Sequence, residues 1–162
     1  MRAESDTGPL IRLSWIDRLD LLDELFDELL IPVGVWRELV PPGAPLPGVE
    51  AIVAARARGW FTVRAVRDDA EVTALRGGLD QGEAEAIILM RETSADLLLV
   101  DDRRARDEAA RRGLPHTGTV GLLRLARDRG LIDAAYPILL ELRQRNFWIS
   151  AALLERIADE ER

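Results

Sequence analysis

The segment ADLLLVDDRRAR (95–106) decides the fold. Its first half is a continuous apolar run, which is typical of a strand buried on both faces inside a parallel sheet. The run ends abruptly in two aspartates, and the charged stretch that follows, DRRARDEAARRG (102–113), predicts a helix closed by glycine. We therefore expect a buried strand followed by a helix, with acidic side chains at the carboxyl end of the strand.

Strand and helix patterns alternate on both sides of this segment. The other segments with helical spacing are 18–26, 33–40, 49–59, 80–92, 120–129, 134–145 and a tail helix after Ser150. Further short strands are predicted before Asp6, at 29–32, at 60–66 and around 114–116. The stretch PPGAPLPG (41–48) predicts a turn or exposed loop. This alternation predicts a single α/β domain over residues 1–162 with a mainly parallel sheet.

The composition narrows the classes of protein to consider. The chain has 162 residues, 48% of them hydrophobic, which is enough for the core of one domain. It has no cysteine, so disulfides, thiolate metal sites and cysteine nucleophiles are excluded. The start MRAESDTGPL lacks an apolar targeting segment, and no apolar run approaches the roughly 18 residues that span a bilayer. We expect a soluble cytoplasmic protein without a membrane partner.

The charge balance does not predict a generally basic surface. The net charge is −7, from 29 acidic and 22 basic residues, and every basic residue is an arginine. Arginine can bind phosphate in a bidentate manner, so a local cluster remains conceivable. One run of arginines has two interpretations. It is either such a cluster or a solvated helix face with ion pairs between successive turns, and the second arrangement is the more common. The run comprises Arg103, Arg104, Arg106, Arg111 and Arg112.

Acidic residues follow several of the predicted strands. In open α/β sheets the ligand crevice lies beyond the carboxyl ends of the strands, where these side chains would converge. Oxygen ligands without cysteine suit hard cations such as Mg²⁺ or Mn²⁺. The candidate ligands are Asp6, Glu38, Glu83, Asp101 and Asp102.

Each of these acids also has a structural interpretation. Asp80 with Glu83 spells a capping box, and Asp6 or the Asp101–Asp102 pair could cap the helix that follows. Glu38 could be a solvated carboxylate on a helix. Periodicity and spacing leave both interpretations open.

Other motifs carry little information about chemistry. His116 is the sole histidine, so any Ser-His-Asp catalytic arrangement would have to use it. A lone histidine is more commonly a core or turn residue. The segment 117–119 (TGT) could bind a phosphate or simply begin a helix. No glycine-rich nucleotide-binding motif is present. An aspartyl-phosphate site is disfavoured because such sites normally use a lysine, which the chain lacks.

Six segments in order resemble the successive blocks of PIN-domain proteins. They are SDTGPLI (5–11), IPVGVWREL (31–39), LDQGEAEAI (79–87), ADLLLVDDRRAR (95–106), HTGTVGLL (116–123) and NFWIS (146–150). The most similar branch is the VapC-related one long described as a domain of unknown function. The resemblance spans roughly residues 5 to 150 and implies a PIN-like three-layer α/β/α fold with a central, mainly parallel sheet of four or five strands.

The resemblance also implies a function and a site. Members of the family are ribonucleases that hydrolyse RNA phosphodiester bonds with Mg²⁺ or Mn²⁺, and the VapC-related branch includes toxins of toxin–antitoxin pairs. The implied catalytic and metal-binding acids are Asp6, Glu38, Glu83 and Asp101, with Asp102 as a further metal ligand. The implied accessory hydroxyls are Thr7 and Thr119, and Glu85 is a second choice for the third acid.

The resemblance further implies RNA as the substrate, with a small antitoxin protein or a homodimer as partner. The alternative is a catalytically silent PIN-like module that binds RNA or protein. Two features depart from the family pattern. The start MRAES contains only Met1 and Ala3 as apolar residues, so the first strand is expected to be short or the start to be truncated, and Asp6 is expected to be less rigidly held. The overall acidity is also unusual for an RNA-binding nuclease.

Overall fold

A five-stranded sheet organises the chain in the computed structural model, which describes residues 1–43 and 46–162. The strands are β1 (Arg2–Ser5), β2 (Glu28–Pro32), β3 (Thr62–Arg64), β4 (Leu97–Leu99) and β5 (His116–Thr117). Their order is β3-β2-β1-β4-β5, and every neighbouring pair is parallel. The predicted parallel sheet is thus confirmed. Part of the predicted loop at 41–48 lies outside the described residues.

Helices fill most of the chain between the strands. In the described residues they are α1 (Thr7–Trp15), α2 (Asp20–Leu25), α3 (Val33–Leu39), α4 (Val49–Ala57), α5 (Asp69–Leu75), α6 (Gln81–Thr93), α7 (Arg103–Arg111), α8 (Thr119–Asp128), α9 (Tyr136–Gln144) and α10 (Ala151–Glu160). None of these is long and apolar enough to cross a membrane.

Two of the helices were not predicted from periodicity. Helix α1 carries Gly8 and Pro9 in its first turn, where a proline is tolerated because backbone N–H groups there lack helical partners. Helix α5 buries only Val72, so it has no apolar stripe for a periodic pattern to reveal. Helix α1 does bury Leu10 and Leu13 at helical spacing, so only α5 lacks a pattern that hydrophobic spacing could reveal.

The helices cover both faces of the sheet. Ala3, Leu99 and the β2 residue Ile31 belong to a large apolar cluster with α1 to α4 and α8 to α10. Leu98 and Val100 belong to a second cluster with α5, α6 and α7. Successive residues of a strand point to opposite faces, so the one apolar run at 97–100 supplies both cores. The three-layer α/β/α arrangement is confirmed.

The first strand occupies the centre of the sheet although its sequence is polar. It has four residues, which agrees with the predicted short strand, and it pairs with β2 on one side and β4 on the other. Glu4 and Ser5 are completely buried. Glu4 accepts a hydrogen bond from the Thr93 hydroxyl, and burial raises its pKa to about 8. The strand is thus central although Ala3 is the only apolar residue among its four.

The strand order places a topological switch point between β1 and β4. From β1 the chain builds outward to β2 and β3, and then returns to add β4 and β5 on the other side. Connections leave adjacent strands in opposite directions at such a point, which opens a crevice at their carboxyl ends. Asp6 follows β1 and Asp101 lies two residues beyond β4, so both stand at this crevice.

Candidate active site

Asp6 is the buried centre of the crevice. Its backbone N–H donates to the carbonyl oxygen of Leu99 at 3.0 Å, and the residue is only 6% exposed. It occupies the N-cap position of α1, but its side chain makes no capping hydrogen bond, and Oδ1 has no partner among the described residues. Burial raises its pKa to about 7, and the nearby charges of Asp80, Glu83 and Glu38 act in the same direction. A capping role therefore does not account for this carboxylate.

Glu38 enters the crevice from α3. Its Oε2 accepts a hydrogen bond from the Thr7 hydroxyl at 2.7 Å, and its Oε1 accepts one from the Gly82 backbone N–H at 3.3 Å. A Cβ at position 82 would lie 2.8 Å from Oε1, so glycine permits this approach of α6 to α3. Burial raises the pKa of Glu38, with a contribution from Asp80. The interpretation of Glu38 as a solvated carboxylate is wrong.

Glu83 combines a structural role with a place in the crevice. The predicted capping box is confirmed, because Asp80 Oδ1 accepts from the Glu83 N–H at 2.8 Å and Glu83 Oε2 accepts from the Asp80 N–H at 3.0 Å. Burial raises the pKa of Glu83, and the charges of Asp80 and Asp102 raise it further. Glu85, the second choice, instead accepts a hydrogen bond from the Gly34 N–H at the start of α3.

Asp101 is held by donors from two helices. It accepts hydrogen bonds from the Thr119 backbone N–H at 2.7 Å and from the Thr119 hydroxyl at 2.6 Å, and Arg12 Nη1 lies 3.3 Å from Oδ2. A Cβ at Gly118 would be 2.6 Å from Oδ1, and one at Gly8 would be 3.3 Å from Oδ2. Both glycines therefore leave the space that the carboxylate occupies.

Of the two adjacent aspartates, Asp101 and Asp102, it is Asp102 that caps α7. It accepts hydrogen bonds from the backbone N–H groups of Arg104 at 2.9 Å and Ala105 at 3.2 Å, at the start of α7. Of the two aspartates, Asp101 is the one bound to Thr119 and Arg12 across the crevice. The placement of the fourth acid at Asp101 stays a prediction, and so does metal binding by Asp102.

The acids line one cavity of about 540 Å³. Its acidic residues are Asp6, Glu38, Asp80, Glu83, Asp101 and Asp102, and its other residues include Thr7, Arg12, Arg103, Asn146, Phe147 and Trp148. Residues separated by more than 90 positions in the sequence thus meet in one crevice. The predicted catalytic acids and both predicted accessory threonines lie in the cavity or in direct contact with its acids.

The donor set suits a hard divalent cation in its chemistry. The cavity offers carboxylate oxygens, including the unpartnered Oδ1 of buried Asp6. As the side chains are placed, no three of them within residues 1–43 and 46–162 form a group that could hold a metal ion. Glu38, Glu83 and Asp101 each accept hydrogen bonds from protein donors. Binding a cation would require some of these side chains to rotate.

Arg12 and Asp80 are the residues of the cavity that sequence reasoning missed. Arg12 lies in α1, which was not predicted, and its guanidinium packs over the Phe147 ring at 4.6 Å from the centroid. Asp80 was considered only as a helix cap. Phe147 belongs to the segment NFWIS, which resembled the family pattern without suggesting any role. A signal existed for Asp80, since a cap at the start of α6 must lie beside Glu83.

The remaining candidates have structural roles. His116 lies in β5, and its Nδ1 is 2.9 Å from the carbonyl oxygen of Leu114, so its ring is bound to the adjacent backbone. The 117–119 segment ends β5 and begins α8, and its last residue, Thr119, is completely buried against Asp101. It therefore does not present its Thr119 hydroxyl to a phosphate from solvent.

Comparison with known proteins gives a family and a structural likeness. A family model described as a PIN domain matches residues 4–161 of the chain. The crystal structure of PAE2754 from Pyrobaculum aerophilum is similar with a TM-score of 0.48 and 19% sequence identity, over 78% of this chain and 98% of that chain. No curated protein matches the chain.

Proposed function

The chain belongs to the PIN-domain family, whose members are generally nucleases, and we propose that it is a divalent-metal-dependent ribonuclease that hydrolyses RNA phosphodiester bonds. The observation that carries the proposal is the Asp6 carboxylate, which is buried with one unpartnered oxygen at the switch point of the sheet. A buried charge is costly unless it is paired or binds a metal. An acid in this position, surrounded by other acids, is more consistent with a cation site than with a structural role.

The chain's own residues would hold and orient the reacting groups. The acids proposed to bind Mg²⁺ or Mn²⁺ are Asp6, Glu38, Glu83, Asp101 and Asp102. When bound, such a cation lowers the pKa of a water molecule and offsets negative charge on the scissile phosphate. Thr7 orients Glu38, Thr119 orients Asp101, and the capping box orients Glu83. Arg12 supplies a fixed positive charge beside Asp101.

The proposal is tested by cleavage of labelled RNA with and without metal. We expect the purified chain to cut RNA in Mg²⁺ or Mn²⁺ and to stop in chelator. Asp6→Asn should reduce the rate by orders of magnitude, because site groups act as a unit. Asp159→Asn is the control, since Asp159 lies in α10 and pairs with Arg162. Equal cleavage by the two variants, or full cleavage in chelator, would contradict the proposal.

The second candidate function is a silent module that binds RNA or protein without cutting. It is favoured by one observation, which is that most of the cavity carboxylates already accept hydrogen bonds from the protein. This function predicts RNA retention without metal and no effect of Asp6→Asn on that retention. A metal-dependent rate that disappears in Asp6→Asn decides for the nuclease.

The biological setting is proposed by family analogy alone. It comprises a role as the toxin of a toxin–antitoxin pair in the cytoplasm, with a small antitoxin protein or a second copy of the chain as partner. Light scattering on the purified chain tests the homodimer. Growth arrest on expression, abolished by Asp6→Asn, tests the toxin role.

A further inference from the structure

A second groove opens directly beside the carboxylate cavity. Its volume is about 710 Å³, and it lies between α7, β5, α8, residues 147–150 and α10. Asp101, Arg103, Phe147 and Trp148 line both the groove and the carboxylate cavity. The two are therefore continuous, and a polymer bound in the groove could pass through the cavity.

Trp148 is the most exposed large hydrophobic side chain in residues 1–43 and 46–162. It is 82% exposed, whereas its neighbours Phe147 and Ile149 are buried in the core. Asn146, just before them, has a left-handed backbone (φ 67°), which asparagine tolerates better than most residues. The chain thus anchors 147 and 149 and presents the indole between them to solvent. An exposed aromatic face of this kind adds little to the core and is suited to stacking.

The groove carries a surplus of positive charge on an acidic protein. Four arginines line it, against two aspartates, while the whole chain has a net charge of −7. The arginines are Arg103, Arg106, Arg124 and Arg156, and the aspartates are Asp101 and Asp107. Arg103 and Asp107 are 4.0 Å apart with side chains 94% and 73% exposed, so their attraction is weak. Arg124 pairs with Glu160 of α10 at 2.8 Å, so it is less available to a phosphate. Within the described residues, Arg106 and Arg156 form no ion pair.

The structure divides the basic run that the sequence left open. Arg103 and Arg106 face the groove, whereas Arg111 and Arg112 pair with Glu108 on their own helix. The interpretation as a solvated helix face with ion pairs between successive turns fits Arg111, which is 76% exposed, whereas Arg112 also pairs with Glu71 of α5. The interpretation as a phosphate-binding cluster fits Arg103, which lines both the groove and the carboxylate cavity, and Arg106, which lines the groove.

We propose that this groove binds single-stranded RNA, with its arginines on the phosphates and Trp148 stacked on an unpaired base. The proposal rests on the proposed nuclease function and assigns the residues of this chain that would bind its substrate. Arginines spaced along a groove, with an exposed aromatic face beside them, match the requirements of a single strand, in which every base offers a stacking face. A duplex keeps its bases stacked inside, so it could engage the arginines but not Trp148.

The first experiment measures stacking separately from cleavage. The full chain carrying Asp6→Asn, which should not cut, is titrated with a labelled 12-nucleotide single-stranded RNA and followed by fluorescence anisotropy. Adding Trp148→Leu should weaken binding by about 5- to 150-fold, the usual range for loss of one base–aromatic contact. Trp148→Phe keeps a stacking face and should retain most of the affinity. Unaltered affinity in Trp148→Leu overturns the proposal.

The second experiment counts phosphate contacts by salt dependence. Each arginine on a phosphate of a single strand contributes about 0.7 to the slope of log K against log salt. Arg106→Gln should reduce that slope by about 0.7, whereas Arg111→Gln, the matched change on the same helix, should leave it unchanged. Equal effects of the two variants overturn the proposal, because they would show only a general charge effect.

Competitors identify the class of ligand. Duplex RNA of the same sequence should compete poorly with the single strand, and so should poly-glutamate. Competition by poly-glutamate equal to that of unlabelled single strand overturns the proposal in favour of an acidic protein segment.

If groove variants weaken RNA binding while the wild type cuts nothing, the groove stands and the nuclease function fails. If the wild type cuts and the groove variants bind normally, the nuclease stands and the groove fails.

Discussion

Asp101 accepts two hydrogen bonds from Thr119, one from its backbone N–H at 2.7 Å and one from its hydroxyl at 2.6 Å. The pair connects the end of β4 to the start of α8 across the bottom of the crevice. Because Thr119 is completely buried, water cannot replace its hydroxyl at Asp101 without repacking. The position of the Asp101 carboxylate is therefore set by a single threonine and the neighbouring Arg12.

Thr119→Val tests this connection through stability. Valine keeps the shape and the backbone N–H but removes the hydroxyl, and a hydrogen bond to a charged group contributes about 1.5 to 3 kcal/mol. We expect a loss of that order in the free energy of unfolding measured with urea. Thr119→Ser restores the hydroxyl and should recover most of it. A serine variant as unstable as the valine variant would show that packing, rather than the hydrogen bond, is responsible.

Two glutamates on α6 provide a matched test of the catalytic acids. Glu83 faces the carboxylate cavity, whereas Glu85, two residues later, holds the start of α3. Glu83→Gln should reduce RNA cleavage by orders of magnitude, and Glu38→Gln and Asp101→Asn should do the same. Glu85→Gln should leave the rate within a few-fold. The measurement is the single-turnover rate in Mn²⁺, and full activity in two of the three cavity variants contradicts the assignment.

The sequence predicted the elements with strong local patterns. The run at 97–100 shows both a buried strand and the acids that follow it, and the capping box at Asp80 and Glu83 is readable from its spacing. Helix α1 was not predicted, so the ion pair of Arg12 with Asp101 could not be expected. The central position of β1 in the sheet could not be predicted either, because this strand buries the charged residue Glu4. These features depend on contacts between distant segments, which hydrophobic periodicity does not record.

Arg12→Gln separates structural support from metal binding. Arg12 pairs with Asp101 and packs over Phe147, so its loss should cost on the order of 2 kcal/mol in the metal-free protein. Removing a positive charge beside the acids should also strengthen binding of Mn²⁺. We therefore expect a lower melting temperature without metal and a larger rise on adding Mn²⁺. Arg12→Lys keeps the charge and should show a rise similar to that of wild type. A rise in Arg12→Gln no larger than that of wild type would contradict a cation site beside Asp101.

The buried acids predict a stability that falls as pH rises. Burial raises the pKa of Glu4 from 4.5 to about 8 and that of Asp6 from 3.8 to about 7. At a pH between the unfolded and folded pKa values, the folded chain binds more protons than the unfolded chain. The stabilisation from Glu4 and Asp6 is therefore complete below about pH 4 and is lost as the pH rises to about 8. Each group contributes a slope of up to about 1.4 kcal/mol per pH unit.

Urea denaturation between pH 5 and 8 measures this slope without metal. Glu71, whose pKa is held near 2 by Arg91 and Arg112, titrates below this window and does not contribute. Glu4→Gln should remove part of the slope and raise stability at pH 8. A free energy of unfolding that is constant from pH 5 to 8 in the wild type would show that neither acid is protonated in the fold.

The last prediction tests whether the Glu83 carboxylate binds a cation or only caps α6. The capping box needs a side-chain oxygen at position 83, and a glutamine supplies one without charge. Glu83→Gln should therefore keep the cap while it relieves repulsion from Asp80 and Asp102, so the metal-free melting temperature should stay the same or rise. Glu83→Ala also loses the hydrogen bond from the Asp80 N–H, although Asp80 still caps the helix, and should cost about 0.5 to 1.5 kcal/mol.

The response to Mn²⁺ completes the test. A cation that binds only the folded chain stabilises it by about 2.7 kcal/mol at a hundredfold excess over its dissociation constant. For a domain of this size that corresponds to a rise in melting temperature of about 5 to 11 °C. The rise should shrink in Glu83→Gln and Glu83→Ala alike, because both lack the carboxylate, and it should persist in Glu85→Gln. Melting curves at constant ionic strength give all four values. If Glu83→Gln keeps the full Mn²⁺ rise, Glu83 is a capping residue only, and the cation site must be built from Asp6, Glu38 and Asp101 without it.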